Sequence, residues 1–235
     1  MLFGMLLVLP GCIAMPESEK LVYEPRGLPL APTDEVVAFV SEEARTGKAG
    51  DYPINDAGLV RRAFEEGFHK VRADIKVQWA DKGLYEACFE KSREAEDNRS
   101  VRVVSPDLGA AGCRALVDRR GARYVISIGG LHTISSWTFS NAEGHVGNKH
   151  AHTFALGAHV FDAAGGKSVC NVNESNSGES QEFVALLLFI PIAGARLLDE
   201  SFFWKDVAVR TGYGIGGCFV EPGAGKPGDS GARSQ

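Results

Sequence analysis

A run of β-type residues in the middle of the chain places the strongest constraint on its fold. Arg123–Ile128 reads Arg-Tyr-Val-Ile-Ser-Ile, and this nearly continuous apolar character is typical of a strand covered on both faces. The run is bounded by Gly129-Gly130, a pair that punctuates regular structure. We therefore predict a central β-strand at this position.

A strand and a helix are predicted before the central strand. Val101–Val104 is an apolar run, and Ser105-Pro106-Asp107 follows it. These three residues offer a hydroxyl cap, a proline for the first helical position and an acid near the positive end of the helix dipole. The pattern predicts a helix from about Pro106 to Arg120, and a strand–helix–strand unit predicts a right-handed crossover between parallel strands.

A β-hairpin is predicted after the central strand. Phe154–Val160 alternates between apolar and polar residues, and a turn-forming segment at residues 161–167 separates it from Val169–Ser177. The second strand is polar at most positions, so we expect it to have a solvated face or to lie at an edge. We interpret Leu131–His150 as a long loop between the central strand and the hairpin.

The remaining segments predict a single α/β (α+β) domain over residues 34–220, with a mixed sheet flanked by helices. Four of them are a strand at Val36–Val40, an amphipathic helix at Gly58–Val71 capped by Asp56, a strand or helix extension at Val71–Trp79, and a polar helix or loop at Lys82–Asn98. The apolar stretch Phe183–Leu198 contains Pro191 and Arg196 and is shorter than the roughly 20 residues of a membrane-spanning helix, which argues against the alternative of a bitopic membrane protein. We expect it to form a buried strand and a helix start, or a surface that faces a partner.

The amino terminus resembles a bacterial lipoprotein signal. An apolar run, Met1–Pro10, leads into Leu9-Pro10-Gly11-Cys12, where a small residue precedes a cysteine. The resemblance implies that residues 1–12 are a signal peptide, that Cys12 carries the lipid (palmitate), and that the protein is attached to a membrane. In lipoproteins of this type an aspartate after the cysteine retains the protein in the inner membrane, and Ile13 implies the outer membrane instead.

Two flanking segments are predicted to lie outside the domain. Residues 13–33 contain four prolines and scattered charges, which favours a tether between the lipid and the fold. Residues 221–235 are rich in Gly, Pro and Ser, which predicts a disordered tail. The net charge of −5 and the lack of a clustered basic face argue against a nucleic-acid partner.

The order of elements from Val101 to Ser180 resembles a group of uncharacterised proteobacterial lipoproteins. It is also loosely similar to the α/β domain shared by the curli-secretion lipoprotein, the Pel polysaccharide lipoprotein and the amino-terminal domain of the Tol translocation protein. The shared motifs are Gly-Ala-Arg-Tyr-Val at residues 121–125 and the turn Phe161–Lys167. They are structural motifs, so the resemblance implies a periplasmic binding or assembly protein and assigns no catalytic residue and no cofactor.

The histidines offer an alternative function. Five of the six histidines lie within a short part of the chain: His132, His145, His150, His152 and His159. His150 and His152 share strand parity and could bind one metal ion together with His132 or His145 as a third ligand. The alternative hypothesis is therefore a periplasmic metal-binding protein or metal-dependent enzyme that uses the cluster from His132 to His159. Solvated histidines in loops and at strand ends are the simpler interpretation.

Other residues point to disulfides and give no sign of a nucleophile or phosphate site. Four cysteines remain besides Cys12, namely Cys88, Cys113, Cys170 and Cys218. In an oxidising compartment they could form two disulfides in any of three connectivities.

Ser177–Gln181 is not a nucleophile elbow because Glu182 stands where that motif needs glycine. Gly212–Gly217 lacks the Lys-Ser/Thr of a phosphate loop, and we interpret it as a flexible or bulged strand.

The sequence thus predicts a lipoprotein of the cell outer membrane, lipid-anchored with its domain in the periplasm. Its function is predicted to be binding or assembly with envelope proteins, including the formation of a homo-oligomer, without catalytic activity.

Overall fold

The computed structural model describes residues 21, 23–32, 34–41, 51–52, 54–89, 93–94, 101, 103–140, 146–187, 190–193 and 199–222. Its strands, in chain order, are β1 (Glu35–Ser41), β2 (Asp51–Tyr52), β3 (Lys76–Trp79), β4 (Arg93–Glu94), β5 (Val104–Ser105), β6 (Ala122–Ser140), β7 (Val146–Asp162), β8 (Ser168–Leu187) and β9 (Ile190–Ala193). Its helices are α1 (Ala57–His69), α2 (Lys82–Phe89), α3 (Ala111–Arg119) and α4 (Glu200–Cys218).

One mixed sheet of seven strands carries the fold. The order is β3-β1-β6-β7-β8-β9, and β2 pairs with β6 outside this sequence of neighbours. The strands β3, β1 and β6 are parallel, whereas β6, β7, β8 and β9 form an antiparallel meander. The strands β4 and β5 form a separate two-stranded sheet. The predicted α/β class with a mixed sheet in a single domain is confirmed.

Helices cover both faces of the sheet because its central strands are apolar on both sides. In β1, Val36 and Ala38 belong to a core shared with α1 and α4, while Val37 and Phe39 belong to a second core shared with α2 and α3. All four side chains are at most 2% exposed. Successive residues of a strand point to opposite faces, so this run supplies both cores at once.

The helices α1 and α4 approach each other through glycines. A Cβ atom on Gly67 would lie 1.9 Å from the carbonyl oxygen of Val209, and one on Gly212 would lie 2.0 Å from that of Phe64. Only glycine lets the two backbones come this close. The prediction of a flexible or bulged strand at Gly212–Gly217 is therefore wrong: these residues lie in the last turns of a 19-residue helix.

The central strand and the hairpin are confirmed, but the loop predicted between them is wrong. β6 begins at Ala122 and runs through Gly129-Gly130 to Ser140, and β7 begins at Val146. Most of Leu131–His150 therefore extends the two strands, which pair from Tyr124↔Asp162 to Ser140↔Val146. The side chains of residues 135–138 are exposed, so the backbone ladder and the cross-strand hydrogen bonds Ser136–His150 and Thr138–Asn148 hold this extension together.

The predicted helix start and crossover at Ser105-Pro106-Asp107 are wrong. The N–H of Asp107 donates to the carbonyl of Cys88 at 2.8 Å, and Ser105 pairs with Arg93 in the small sheet. These tertiary hydrogen bonds delay the helix until Ala111. The parallel neighbour of β6 is consequently β1 rather than the segment that begins at Val101.

The other predicted elements are largely confirmed. Asp56 caps α1, where its carboxylate accepts from the N–H of Leu59 at 2.8 Å. The undecided segment Val71–Trp79 contains β3, and the polar segment Lys82–Asn98 begins with α2. Phe183–Leu198 contributes the end of β8 and all of β9. Along Ser168–Glu182, β8 pairs only with β7 among the described strands, which agrees with the predicted edge position.

Part of the predicted tether belongs to the fold. Leu28 and Leu30 pack against the core under α4, and the N–H of Leu28 donates to the carbonyl of Cys218 at 2.9 Å. Arg72 fixes the same segment by donating to the carbonyls of Leu30 and Phe219. The domain therefore begins before residue 34. The predicted signal peptide and nearly all of the predicted tail lie outside the described residues.

Candidate functional site

The sheet places two histidines side by side beneath the start of α4. His132 on β6 is opposite Phe154 on β7, and His152 is two residues from Phe154, so both histidines point to the same face. That face is the one covered by α1 and α4. Phe154 stacks on Phe203 of α4 with ring centroids 5.1 Å apart, which fixes the helix above the histidines.

A chain of hydrogen bonds links three buried side chains. His132 Nε2 and His152 Nδ1 are 3.0 Å apart, and His152 Nε2 lies 2.9 Å from the hydroxyl of Ser180 on β8. The three residues are 5%, 2% and 3% exposed, respectively. In the simplest proton arrangement His132 donates to His152, which in turn donates to Ser180.

Glu200 completes this cluster from the other side. It is the first residue of α4, and Asp199 caps the helix by accepting from the N–H of Ser201 at 3.0 Å. Asn55, just before α1, donates its amide N–H to Glu200 Oε2 at 2.8 Å. One candidate ligand atom from each of His132, His152 and Glu200 lies within 4.8 Å of the other two. We call these three residues the His–Glu cluster.

The other histidines of the predicted group do not join the His–Glu cluster. His150 lies on the same face, but its Nδ1 is 2.7 Å from the hydroxyl of Ser136, and it is more exposed than His152. His159 has the opposite strand parity and stacks near Phe161 on the other face of the sheet. His145 lies outside the described residues. Of the predicted metal ligands, the structure brings together His132 and His152 and leaves His150 aside.

Sequence reasoning missed Glu200, Asn55 and Ser180. Asp199 is a recognisable helix cap and Glu200 is an acid in a first helical turn, which is a common helix-start signal. That signal shows the start of α4 but not its position above β6 and β7. Ser180 is opposite His150 in the β7–β8 register, and its hydroxyl reaches diagonally to His152, a contact that the sequence of β8 alone does not show.

The chemistry of the His–Glu cluster favours ligand binding over nucleophilic catalysis. Two imidazoles and a carboxylate are the donor set of open zinc sites. Ser180 touches a histidine, as a catalytic serine does, but only 3% of it is exposed. A substrate would have to reach this hydroxyl through the interior, so the contact fits a structural hydrogen bond better than a nucleophile.

Both disulfides join secondary-structure elements that lie far apart along the chain. Cys88 of α2 is bonded to Cys113 of α3, and Cys170 of β8 is bonded to Cys218 at the end of α4. The first disulfide holds the two helices on one face of the sheet, and the second ties α4 to the hairpin on the other face. The prediction of disulfides is confirmed, and the structure selects one of the three connectivities.

A separate cavity lies at the carboxyl ends of two parallel strands. Its volume is about 530 Å³, and it is lined by Phe39, Val40, Arg61, Ala80, Asp81, Lys82 and Tyr85. The helix α1, which follows β1 and β2 in the chain, lies on one face of the sheet, and α2, which follows β3, lies on the other. Such a point, where successive connections go to opposite faces, is where open α/β sheets bind ligands.

Charged groups of both signs line this cavity. The guanidinium of Arg61 lies 5.9 Å from the ring centre of Trp79. The N–H of Leu84 donates to the carboxylate of Asp81, and together with the Arg120 guanidinium this bond holds the pKa of Asp81 below its usual range. Asp81 is therefore an anion at neutral pH, and the cavity presents one anion beside the cations Arg61 and Lys82.

Comparisons with known proteins give structural similarity without a family. No family model and no curated protein sequence matches the chain. Among solved structures, a PelC dodecamer from Paraburkholderia phytofirmans is 11% identical in sequence. The match covers 80% of this chain and 92% of the PelC chain, with a TM-score of 0.34. A neuraminyllactose-binding hemagglutinin homolog from Helicobacter pylori is 9% identical, and the match covers 82% of this chain and 83% of the homolog, with a TM-score of 0.34. Similarity at this level carries no conclusion about function.

Proposed function

We propose that this protein is an exported lipoprotein of the cell envelope, anchored to the outer membrane through Cys12, whose periplasmic domain acts by binding or assembly. The pairing of the cysteines is the observation that carries this proposal. Of five cysteines, four form the two disulfides of the domain. The fifth, Cys12, occupies the lipid-accepting position of the signal-like sequence.

The disulfides support export. Structural disulfides persist in oxidising compartments such as the bacterial periplasm and are rare in the cytosol. All four sulfurs belong to buried cysteines, as expected of structural bonds rather than of redox-active ones. Among the described residues, no helix has both the length and the apolar character required to cross a membrane. A lipid on Cys12 would supply the membrane attachment.

The cavity at the carboxyl ends of β1 and β3 supports a binding role. It is concave, combines the aromatic surfaces of Phe39 and Tyr85 with charged groups, and has the size of a small-ligand site. Lys82 stands at its rim with 88% of its side chain exposed. A partner that enters the cavity would pass this residue.

The anchor is tested by expressing the wild-type chain and Cys12→Ser in a proteobacterial host and following membrane fractionation and palmitate incorporation. We expect the wild type in the outer membrane with label and the variant without label. Wild-type protein that is unlabelled and cytoplasmic would contradict the proposal.

The binding role is tested with a photo-cross-linking amino acid placed at Lys82 or at Lys76. Lys76 is a matched control because it is also exposed, at 71%, but lies at the opposite end of β3. We expect a discrete adduct from Lys82 in irradiated cells and none from Lys76. Absence of an adduct at Lys82, or the same adduct at both positions, would contradict binding at the cavity.

A further inference from the structure

We infer that His132, His152 and Glu200 bind a divalent transition-metal ion, with zinc the best match to their chemistry. The inference concerns a site on the face covered by α1 and α4, and none of its three residues lines the cavity on which the proposed binding role depends. It rests on the convergence of three ligands, two imidazoles and one carboxylate, from three separate elements within 4.8 Å.

The donor set fits zinc in identity, and the two nitrogens lie close to the spacing that zinc requires. Zinc binds imidazole nitrogen and carboxylate oxygen at about 2.0–2.2 Å, and three protein ligands leave a fourth position for water or another ligand. Two nitrogens on one tetrahedral zinc are about 3.3 Å apart, and His132 Nε2 and His152 Nδ1 are 3.0 Å apart. On metal binding the N–H···N hydrogen bond between them would be replaced by two nitrogen–metal bonds, with both rings turned toward the ion and the proton of His132 on Nδ1.

Neighbouring side chains hold two of the ligands as metal sites require. A histidine that binds metal through one nitrogen commonly donates the other N–H to an acceptor, which fixes its tautomer. His152 has Ser180 at 2.9 Å from Nε2, so Nδ1 is the nitrogen presented to the metal. The amide of Asn55 donates to one oxygen of Glu200 at 2.8 Å and orients that carboxylate.

The surrounding charges allow a cation here. The amino-terminal end of α4 carries a partial positive charge that opposes a cation. Glu200 and the capping Asp199 place two carboxylates at that end, and the Glu200 carboxylate would be the ligand itself. Imidazole binds metal in its neutral form, so a bound divalent ion together with the Glu200 carboxylate would carry one unit of net positive charge.

Glu200→Gln and His150→Ala distinguish this site from one made of histidines alone. The full chain, extracted in detergent, purified without a histidine tag and freed of metal by chelator, is titrated with zinc in a calorimeter. Cobalt is added to parallel samples because its visible absorption reports tetrahedral coordination. We expect one zinc per chain in the wild type and in His150→Ala, with tetrahedral cobalt bands.

Glu200→Gln is expected to bind zinc at least about 10-fold more weakly, and Ser180→Ala about 10-fold more weakly through loss of the bond to His152. Circular dichroism confirms that each variant is folded. Folded wild-type protein that binds no zinc in a saturable manner would overturn the inference. Loss of binding in His150→Ala with full binding in Glu200→Gln would also overturn it. Neither result depends on the lipid anchor, so the two proposals fail independently.

Discussion

Replacing Gly212 by alanine should destabilise the domain by forcing α1 and α4 apart. The new methyl carbon would lie 2.0 Å from the carbonyl oxygen of Phe64, and Cβ atoms essentially never approach a heavy atom closer than 3.0 Å. The helices must therefore separate by about 1 Å, and overpacking of this kind costs about 1–3 kcal/mol. The upper end applies because the obstructing atom belongs to a helix backbone and cannot rotate away.

Helix propensity partly offsets this cost. Alanine is favoured over glycine inside a helix by about 1 kcal/mol, which leaves an expected net loss of about 2 kcal/mol. Gly112 of α3 provides a matched control, because it is exposed and the nearest atom to its added Cβ is the Cβ of Ala87 at 4.0 Å. Gly112→Ala should therefore stabilise the protein by up to about 1 kcal/mol.

Equilibrium urea unfolding of the oxidised protein, followed by tryptophan fluorescence, measures both changes. In a thermal scan the loss for Gly212→Ala corresponds to a fall in Tm of roughly 4–8 °C. The reasoning is refuted if Gly212→Ala is as stable as the wild type. It is also refuted if Gly112→Ala and Gly212→Ala lose the same stability, because the effect would then be unrelated to the helix contact.

Three further perturbations follow from local contacts. The double variant Cys170→Ser with Cys218→Ser should lose about 4 kcal/mol, since the disulfide closes a 48-residue separation; an unchanged urea midpoint would contradict this. Asp56→Ala should cost about 1 kcal/mol by removing the cap of α1, measured in the same assay against Asp56→Asn, which retains an acceptor. The hydrogen bond from Arg72 lowers the pKa of Asp74 in the folded protein. The ionised carboxylate therefore stabilises the fold at pH values above its unfolded-state pKa. This stabilisation is lost as the pH falls through the lower folded-state pKa. Asp74→Asn should therefore weaken the acid dependence of stability below about pH 4, and an identical pH profile would contradict that role.

The central strand was predictable because its residues are buried on both faces and carry a continuous apolar signal. The same logic fails where strands leave the core. Residues 135–138 of β6 are exposed, so they lack the alternation of buried and exposed side chains that marks a strand, and their regular structure depends on pairing with β7. The loop predicted for Leu131–His150 was wrong for that reason.

The last helix was missed for the opposite reason. α4 is buried on several sides, including Trp204, Val207 and Ile215 as well as its glycines. A helix buried around much of its circumference lacks the one-sided apolar period by which amphipathic helices are recognised. Its glycines further suggest irregular structure, although here they permit the close contact with α1.

The candidate site could be predicted only in part. Strand parity correctly places His152 on one face of the sheet, but parity equally favours His150 and cannot identify the side chain above them. Glu200 reaches the cluster because α4 packs over β7 through Phe154 and Phe203. That packing joins residues 48 positions apart, His152 and Glu200, and no local pattern encodes it.

The intact mass of the wild-type protein extracted from host membranes tests the proposed envelope role most directly. We predict a chain that begins at Cys12, carries the added mass of a lipid, and is four hydrogens lighter than the reduced protein because both disulfides are formed. A mass that corresponds to a chain beginning at Met1, without lipid and with Cys88, Cys113, Cys170 and Cys218 as free thiols, would contradict export, anchoring and the oxidised fold together.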